Sequence, residues 1–295
     1  MNPLVTVLLV PVFVMPLAVS LVTYAFFWYE AANGDYGEVL RNRHGNRLLW
    51  VLLGGVCSAF ISSIFSILTY PLGFLNSRSN GKRLGKDNAP HLILIHGLYH
   101  NSSAWIFLRR RLRLAGFHRV SCVNYWSLKE GFWELVDEID QQIERLTDSE
   151  MEPLVLIGHS LGGLLARAWA GTRDSGKRTI GLITLGSPHK GSKLAVLGWG
   201  RLARSIRYKG RLMEEMKERL SHVDLPQYAL YSPIDNMVLP AKALQPPGPG
   251  WTSMETAPIS HVAMLYHKGT ADLIVRSLRE ICRRDANVHR RSWGS

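Results

Sequence analysis

The stretch "PLVLIGHSLGG", residues 153–163, passes from aliphatics into glycines that flank His-Ser-Leu, with no charged residue. Within it Gly158, Ser160 and Gly162 stand in the spacing Gly-x-Ser-x-Gly. Between an apolar strand and a helix, that spacing makes a sharp turn that strains the serine backbone and exposes its hydroxyl. Glycine on either side removes Cβ atoms that would collide across the turn, and Gly163 lets the following helix approach the sheet. The same turn aims the backbone N–H of Leu161, at a helix N-terminus, toward the place where negative charge gathers when the hydroxyl attacks a carbonyl. A serine hydroxyl is too weak an acid to attack unaided. A histidine must take its proton, and a carboxylate must hold that histidine in the right tautomer.

The elements needed to position such a serine are visible around it. Short apolar runs alternate with helical stretches, the pattern of βαβ units on a mostly parallel sheet with helices on both faces. Strands are predicted at 91–95, about 119–124, 154–158, 180–186 and 227–231, with helices at about 102–115, 130–147 and 161–172 and a last one after His261. In an open α/β sheet the chemistry gathers at the carboxyl ends of the strands. Ser160 falls at such an end.

From Ala89 to about Arg283 the chain resembles an α/β-hydrolase, specifically the bacterial lipase and esterase branch. Four motifs in matching order carry the likeness: "LILIHGLYHNSSAW", "LIGHSLGG", "LITLGSPHKGS", and "YSPIDNMVLP" followed by "ISHVAML". The resemblance implies an ester substrate without naming it. It also implies the chain order serine, acid, histidine. Downstream of Ser160 lie His189, His222, His261, His267 and His289. His261 precedes the apolar run that starts the last helix and is expected on a loop above the sheet. His189 follows the preceding strand, and His267 is expected inside the helix. Asp235 comes a few residues after the strand "QYALY", in a turn marked by Pro233 and Asn236, and is favoured as the acid. Asp224, on the far edge of the sheet, and Glu255, in the loop before His261, are its competitors. The second oxyanion donor is expected in the loop after the first strand of the domain, where Leu98 offers its N–H and Gly97 permits close approach. His96 and His100 are read as shaping that loop, and His159 as a packed neighbour of the serine without chemical role.

At 295 residues, 46% of them hydrophobic, the chain can bury one large core. No charged residue occurs from Asn2 to Tyr29 or from Leu48 to Tyr70, and either run as a helix would cross roughly 30 Å of hydrocarbon. A signal peptide would need a basic start, and "MNPLVTVLLV" has none. The expected organisation is a two-helix transmembrane anchor over 1–75, with spans at about 3–29 and 48–70, and a linker at 76–89. A hydrolase domain follows over 90–285, with a cap or lid at about 190–222, and a basic tail at 286–295 closes the chain. Gly54, Gly55, Ser58, Ala59, Ser62 and Ser63 suit close helix packing in the second span. Arg41, Arg43 and Arg47 on one side balance Arg78, Lys82, Arg83 and Lys86 on the other, so the positive-inside rule does not choose a face.

The net charge of +12 comes without a nucleic-acid-binding motif, so no nucleic-acid partner is expected. Beside apolar spans it reads as attraction to anionic head groups. Within the cap, Leu194, Leu197, Trp199, Leu202 and Ile206 form a broken apolar stripe, beside a basic set led by Arg201, Arg204 and Arg207. It is read either as a cap packed on the core or as a lid lying on lipid. Neither a disulfide framework nor a metal-ligand spacing is present, and no cofactor or catalytic metal is expected. The expectation is an integral protein, in a bacterial inner membrane, that hydrolyses carboxylic esters, with lipid esters foremost. A thioesterase or acyltransferase would use the same residues, and a non-catalytic scaffold is the alternative from another class. With its linker as a tether, the anchor is expected to be dispensable for soluble esters.

Overall fold

The computed structural model describes residues 9–75, 89–128, 131–147, 152–172, 179–220 and 225–292. Six parallel strands form one sheet: β1 (His91–Ile95), β2 (Val120–Val123), β3 (Leu154–His159), β4 (Thr179–Leu185), β5 (Gln227–Tyr231) and β6 (Trp251–Glu255), in the order β2-β1-β3-β4-β5-β6. Both faces are covered, and β1 and β3 are buried along their whole length. That is why these strands read as continuous aliphatic runs rather than as alternation. One face carries α6 (Phe132–Leu146) and α7 (Leu161–Thr172), with Leu135, Ile139, Ile143 and Leu164 packed on Ile93 and Leu156. The other carries α5 (Ile106–Leu114) and α10 (Lys268–Ser292), with Leu108, Leu112, Ile274 and Leu278 packed on Leu92 and Val155. In α6 the buried positions recur every three or four residues, the stripe of a helix lying on a core.

The five expected strands are found within a residue or so, and β6 is an addition. Its residues Trp251–Glu255 pair in register with Gln227–Tyr231. As an edge strand that leaves Thr252, Ser253 and Glu255 exposed, "WTSME" has no aliphatic run to announce it, and Glu255 therefore sits at a strand end rather than in a loop. The expected basic tail at 286–295 is also revised, since α10 continues to Ser292. Nothing in "DANVHRRS" breaks a helix, and the next glycine is Gly294. His267 precedes α10 and accepts from the Thr270 amide at 3.2 Å through Nδ1, so it caps the helix rather than lying within it. The linker, His222 and Asp224 lie in or overlap segments outside the described residues.

The N-terminal region forms α1 (Met15–Ala32), α2 (Tyr36–His44), α3 (Leu48–Thr69) and a single turn, α4 (Leu72–Leu75). Two helices in this region are long and apolar enough to cross a membrane. Gly55 packs on the ring of Tyr24, which brings α1 and α3 together. The hairpin does not hang from a tether. Tyr24, Phe27, Leu40 and Ala59 share one apolar cluster with Ile234 and Leu239 of the hydrolase domain. Near α2 the domain is held by Arg43 to Glu255 at 2.6 Å and by Glu30 to Lys193 at 2.7 Å. At the opposite end, Asn101 donates to the Tyr70 carbonyl and Ser102 to the Gly73 carbonyl, both at 2.9 Å.

The cap contains a 3-10 turn (Lys193–Leu197), α8 (Arg201–Ser205) and α9 (Arg211–Arg219). Its apolar stripe does not form a single face. Leu202 and Ile206 are buried in the core, while Leu197 and Trp199 are 64% and 84% exposed.

Candidate active site

Ser160 sits between β3 and α7 with φ +54°, a left-handed conformation for a residue that bears a Cβ. Such a residue costs on the order of 1–3 kcal/mol and persists only where its surroundings over-determine it. A Cβ on Gly158 would strike the carbonyl of Gly162, and one on Gly162 would strike the carbonyl of Ile95. Both glycines are therefore required by the turn. The Ser160 amide donates to the Leu185 carbonyl at 2.8 Å, which ties the turn to the end of β4.

Gly186, the next residue along β4, has φ +54° and lies against both His261 and Asp235. A Cβ there would come within 3.0 Å of His261 Nδ1 and 3.1 Å of Asp235 Oδ2. Asp235 is buried, and its Oδ1 accepts from the amides of Met237 at 2.9 Å and Val238 at 3.0 Å. Its Oδ2 accepts from His261 Nδ1 at 2.7 Å. Because this oxygen accepts, the histidine proton is held on Nδ1 and Nε2 is left as an acceptor. Ser160, Asp235 and His261 thus come to the same carboxyl edge of the sheet, by way of Leu185 and Gly186. Glu255 is turned to Arg43 instead.

On the other side of the serine, Gly97 approaches so closely that a Cβ would lie 3.1 Å from Ser160 Cβ. The loop it begins is braced from several directions. His96 stacks on Tyr125 at 4.2 Å, donates from Nδ1 to the Gly97 carbonyl at 2.8 Å, and accepts from the Tyr125 amide at 3.3 Å. Tyr99, at φ +61°, donates its amide to Ser127 Oγ at 2.9 Å, and the His100 amide goes to the Gly97 carbonyl at 3.2 Å. Leu98 stands between these constrained residues, and Leu161 opens α7 beside Ser160.

His159 has more connections than a packed neighbour would need. Its Nε2 donates to the His261 carbonyl at 3.2 Å, and the two rings lie 4.7 Å apart. Burial holds the imidazoles around the site neutral: His96 is pushed down to about 3, and His100 to about 4 with help from the adjacent His261. His159 is pushed well below the ordinary range by burial and then by His261. His189 is buried against Thr184 and makes no contact with the Asp235 pair in the hydrogen bonds of the described residues. Two residues were missed from the sequence. Asn236 accepts from the His261 amide at 3.1 Å, and Ser232 Oγ takes the Ile259 amide at 3.2 Å. Proximity of Asn236 to Asp235 in "SPIDN" was the only available sign.

Residues 92–292 match the model of the alpha/beta hydrolase family, and the chain belongs to that family. Among characterised relatives, it is 28% identical over 146 residues to phospholipase YtpA of Bacillus subtilis, covering 43% of this chain and 54% of that protein. Phospholipase PlaB from Legionella pneumophila superposes with a TM-score of 0.56 at 14% identity, over 66% of this chain and 61% of that one. Bacillus licheniformis lipase BlEst2 gives 0.53 at 16%, over 66% and 94%. These structural likenesses speak for the fold. The chain spans about half the length of the curated relative, at 54%.

Proposed function

We propose that this chain is a serine hydrolase that cleaves carboxylic esters of lipids at a membrane surface through an acyl-enzyme. The observation that carries the reading is the buried Asp235–His261 pair, 2.7 Å apart, beside a serine at φ +54°. In this mechanism Ser160 Oγ attacks the acyl carbon while His261 Nε2 takes its proton, and Asp235 holds the imidazolium that forms. The amides of Leu98 and Leu161 stabilise the oxyanion. Collapse expels the alcohol, which leaves with the proton from His261. Water then attacks the acyl-serine by the same route in reverse.

A lipid substrate is supported by an exposed apolar rim at the strand ends. Tyr99, Trp126, Leu128, Leu197 and Trp199 are each more than two-fifths exposed. Tyr99 donates its hydroxyl to the Trp199 carbonyl at 2.5 Å, so the oxyanion loop and the cap meet there. Arg201, Arg204 and Arg207 are exposed next to it and suit anionic head groups. Leu17, Leu21, Tyr29, Trp50, Ile61 and Leu68 face outward on the hairpin. Because both ends of the hairpin contact the hydrolase domain, this reading has it resting in the membrane by its outer face, as an interfacial helix pair does.

The test is labelling of the purified protein with a fluorophosphonate and hydrolysis of a short-chain ester. Ser160→Ala should abolish both. His261→Ala should come close, and Asp235→Asn should lower kcat by orders of magnitude with KM little changed, since the residues act as a unit. Retention of more than about a hundredth of the activity by either alanine variant would exclude the assignment.

A further inference from the structure

Two hydroxyls inside the apolar helices have an arrangement that packing does not explain. Thr23 Oγ1 donates its proton to the Val19 carbonyl of its own helix at 2.7 Å, and Ser58 Oγ donates to the Gly55 carbonyl at 2.8 Å. Back-bonding of this kind is the usual fate of such residues within a helix. With the proton committed, each oxygen can only accept from elsewhere. What each accepts is a group of the catalytic loops: Asn236 Nδ2 donates to Thr23 at 2.7 Å, and the Ser260 amide donates to Ser58 at 2.9 Å.

The first contact sets the orientation of an amide. Since Thr23 Oγ1 can only accept, it must face the Asn236 NH2 group, and Asn236 Oδ1 is thereby turned to the His261 amide at 3.1 Å. The second contact holds the residue immediately before His261. Two phenols complete the pattern, for Tyr24 donates to the Ile234 carbonyl at 3.0 Å and Tyr36 to the Pro233 carbonyl at 2.8 Å. Residues 233, 234 and 236 surround the acid, and 260 adjoins the histidine. Each is held by a side chain more than 190 positions earlier in the chain.

We propose that Thr23 and Ser58 are positioning residues for the catalytic pair, which makes the hairpin a working wall of the active site as well as its membrane support. The proposal rests on the reading of Asp235 and His261 as the acid and base. Loss of either acceptor leaves a buried donor unpaired and frees its loop to shift. A displacement of about 1 Å at a catalytic group can lower turnover by about a hundredfold.

The experiment uses the full-length protein in detergent micelles, with p-nitrophenyl butyrate as substrate and a fluorophosphonate as active-site probe. Thr23→Val preserves shape and removes the acceptor; Thr23→Ser restores it. Ser58→Ala and Ser58→Thr form the second pair. The expected result is a fall in kcat of about ten- to a hundredfold for Thr23→Val and Ser58→Ala. KM should stay within about twofold, the labelling rate should fall in parallel, and the two hydroxyl-bearing variants should recover. If the wild type labels but both hydroxyl-lacking variants label at its rate, the proposal is overturned while the catalytic reading stands. If the wild type itself does not label at Ser160, the catalytic reading has failed instead. Should Thr23→Val not fold, the Ser58 pair decides. Equal loss of activity and of the cooperative thermal transition in Ser58→Ala and Ser58→Thr would mean a purely structural contact.

Discussion

Individual residues show most clearly which parts of the site a sequence can disclose. Gly158, Ser160 and Gly162 were legible because a backbone turn permits only certain residue types at fixed spacing, and the two excluded Cβ atoms are the physical form of that rule. Asp235 was singled out by its place after a strand, and the fold sets its carboxylate against His261 Nδ1. Asn236 and His159 were not legible as supports of His261, since an amide or imidazole held by partners distant in sequence has no local signature. The neutral histidines carry a consequence for acid stability. In the unfolded chain these groups protonate near 6.5, whereas in the fold His100 waits until about 4 and His96 until about 3, and burial holds His159 and His189 well below the ordinary range. Over that interval the unfolded state binds more protons, so stability rises with pH. It is complete above 6.5, begins to fall as pH drops below that value, and keeps falling until the folded imidazoles take up protons. Urea unfolding should therefore give a lower midpoint at pH 5 than at pH 7.5, and an equal or higher midpoint at pH 5 would contradict burial of these groups in neutral form.

Among the elements, buried strands announced themselves as aliphatic runs and the amphipathic α6 and α10 by period, while β6 did not because three of its five residues face water. The cap shows how a stripe can mislead. Leu202 and Ile206 lie on α8 and its end and turn inward, but Leu197 and Trp199 precede the helix and turn outward, so helical spacing had no meaning across Gly198 and Gly200. Gly200, at φ +92°, is where the direction changes. On the proposed reading the outward pair joins the exposed Trp126 and Leu128 in a lipid contact. Burying one such side chain in lipid is worth about 1.5–3 kcal/mol, so Leu197→Ser and Trp199→Ser should each weaken vesicle binding on the order of tenfold while hydrolysis of a soluble ester is unchanged. Charge reversal at Arg201, Arg204 and Arg207 should lower binding to anionic vesicles only, and chiefly at low salt. Sedimentation with phosphatidylcholine and phosphatidylglycerol vesicles separates the two contributions; equal binding by all variants would remove the rim from the lipid contact.

For the whole molecule, the hairpin and the hydrolase domain are one packing unit. From Ser58 to Tyr70, the contacts of α3 with the domain cover about 18 Å of helix. A tethered anchor would have been dispensable for soluble substrates, whereas this hairpin covers Ile234 and Leu239 and holds the residues on either side of Asp235. Protein lacking residues 1–75 should therefore lose hydrolysis of p-nitrophenyl butyrate as well as of vesicle lipid. Full soluble activity in the truncated form would restore the tether. Composition revealed the apolar helices, but it could not reveal what they lean on, because Thr23 and Ser58 look like any small polar residue in an apolar run. The docked hairpin also imposes a schedule on synthesis. Tyr24 and its partner Ile234 are 210 positions apart, so at about 5–20 residues per second the ribosome makes the hairpin on the order of ten to forty seconds before the loop it must receive. During that interval its acceptors and phenols have no native counterpart, and the wall around Asp235 and His261 can close only once residues 233–260 have been made.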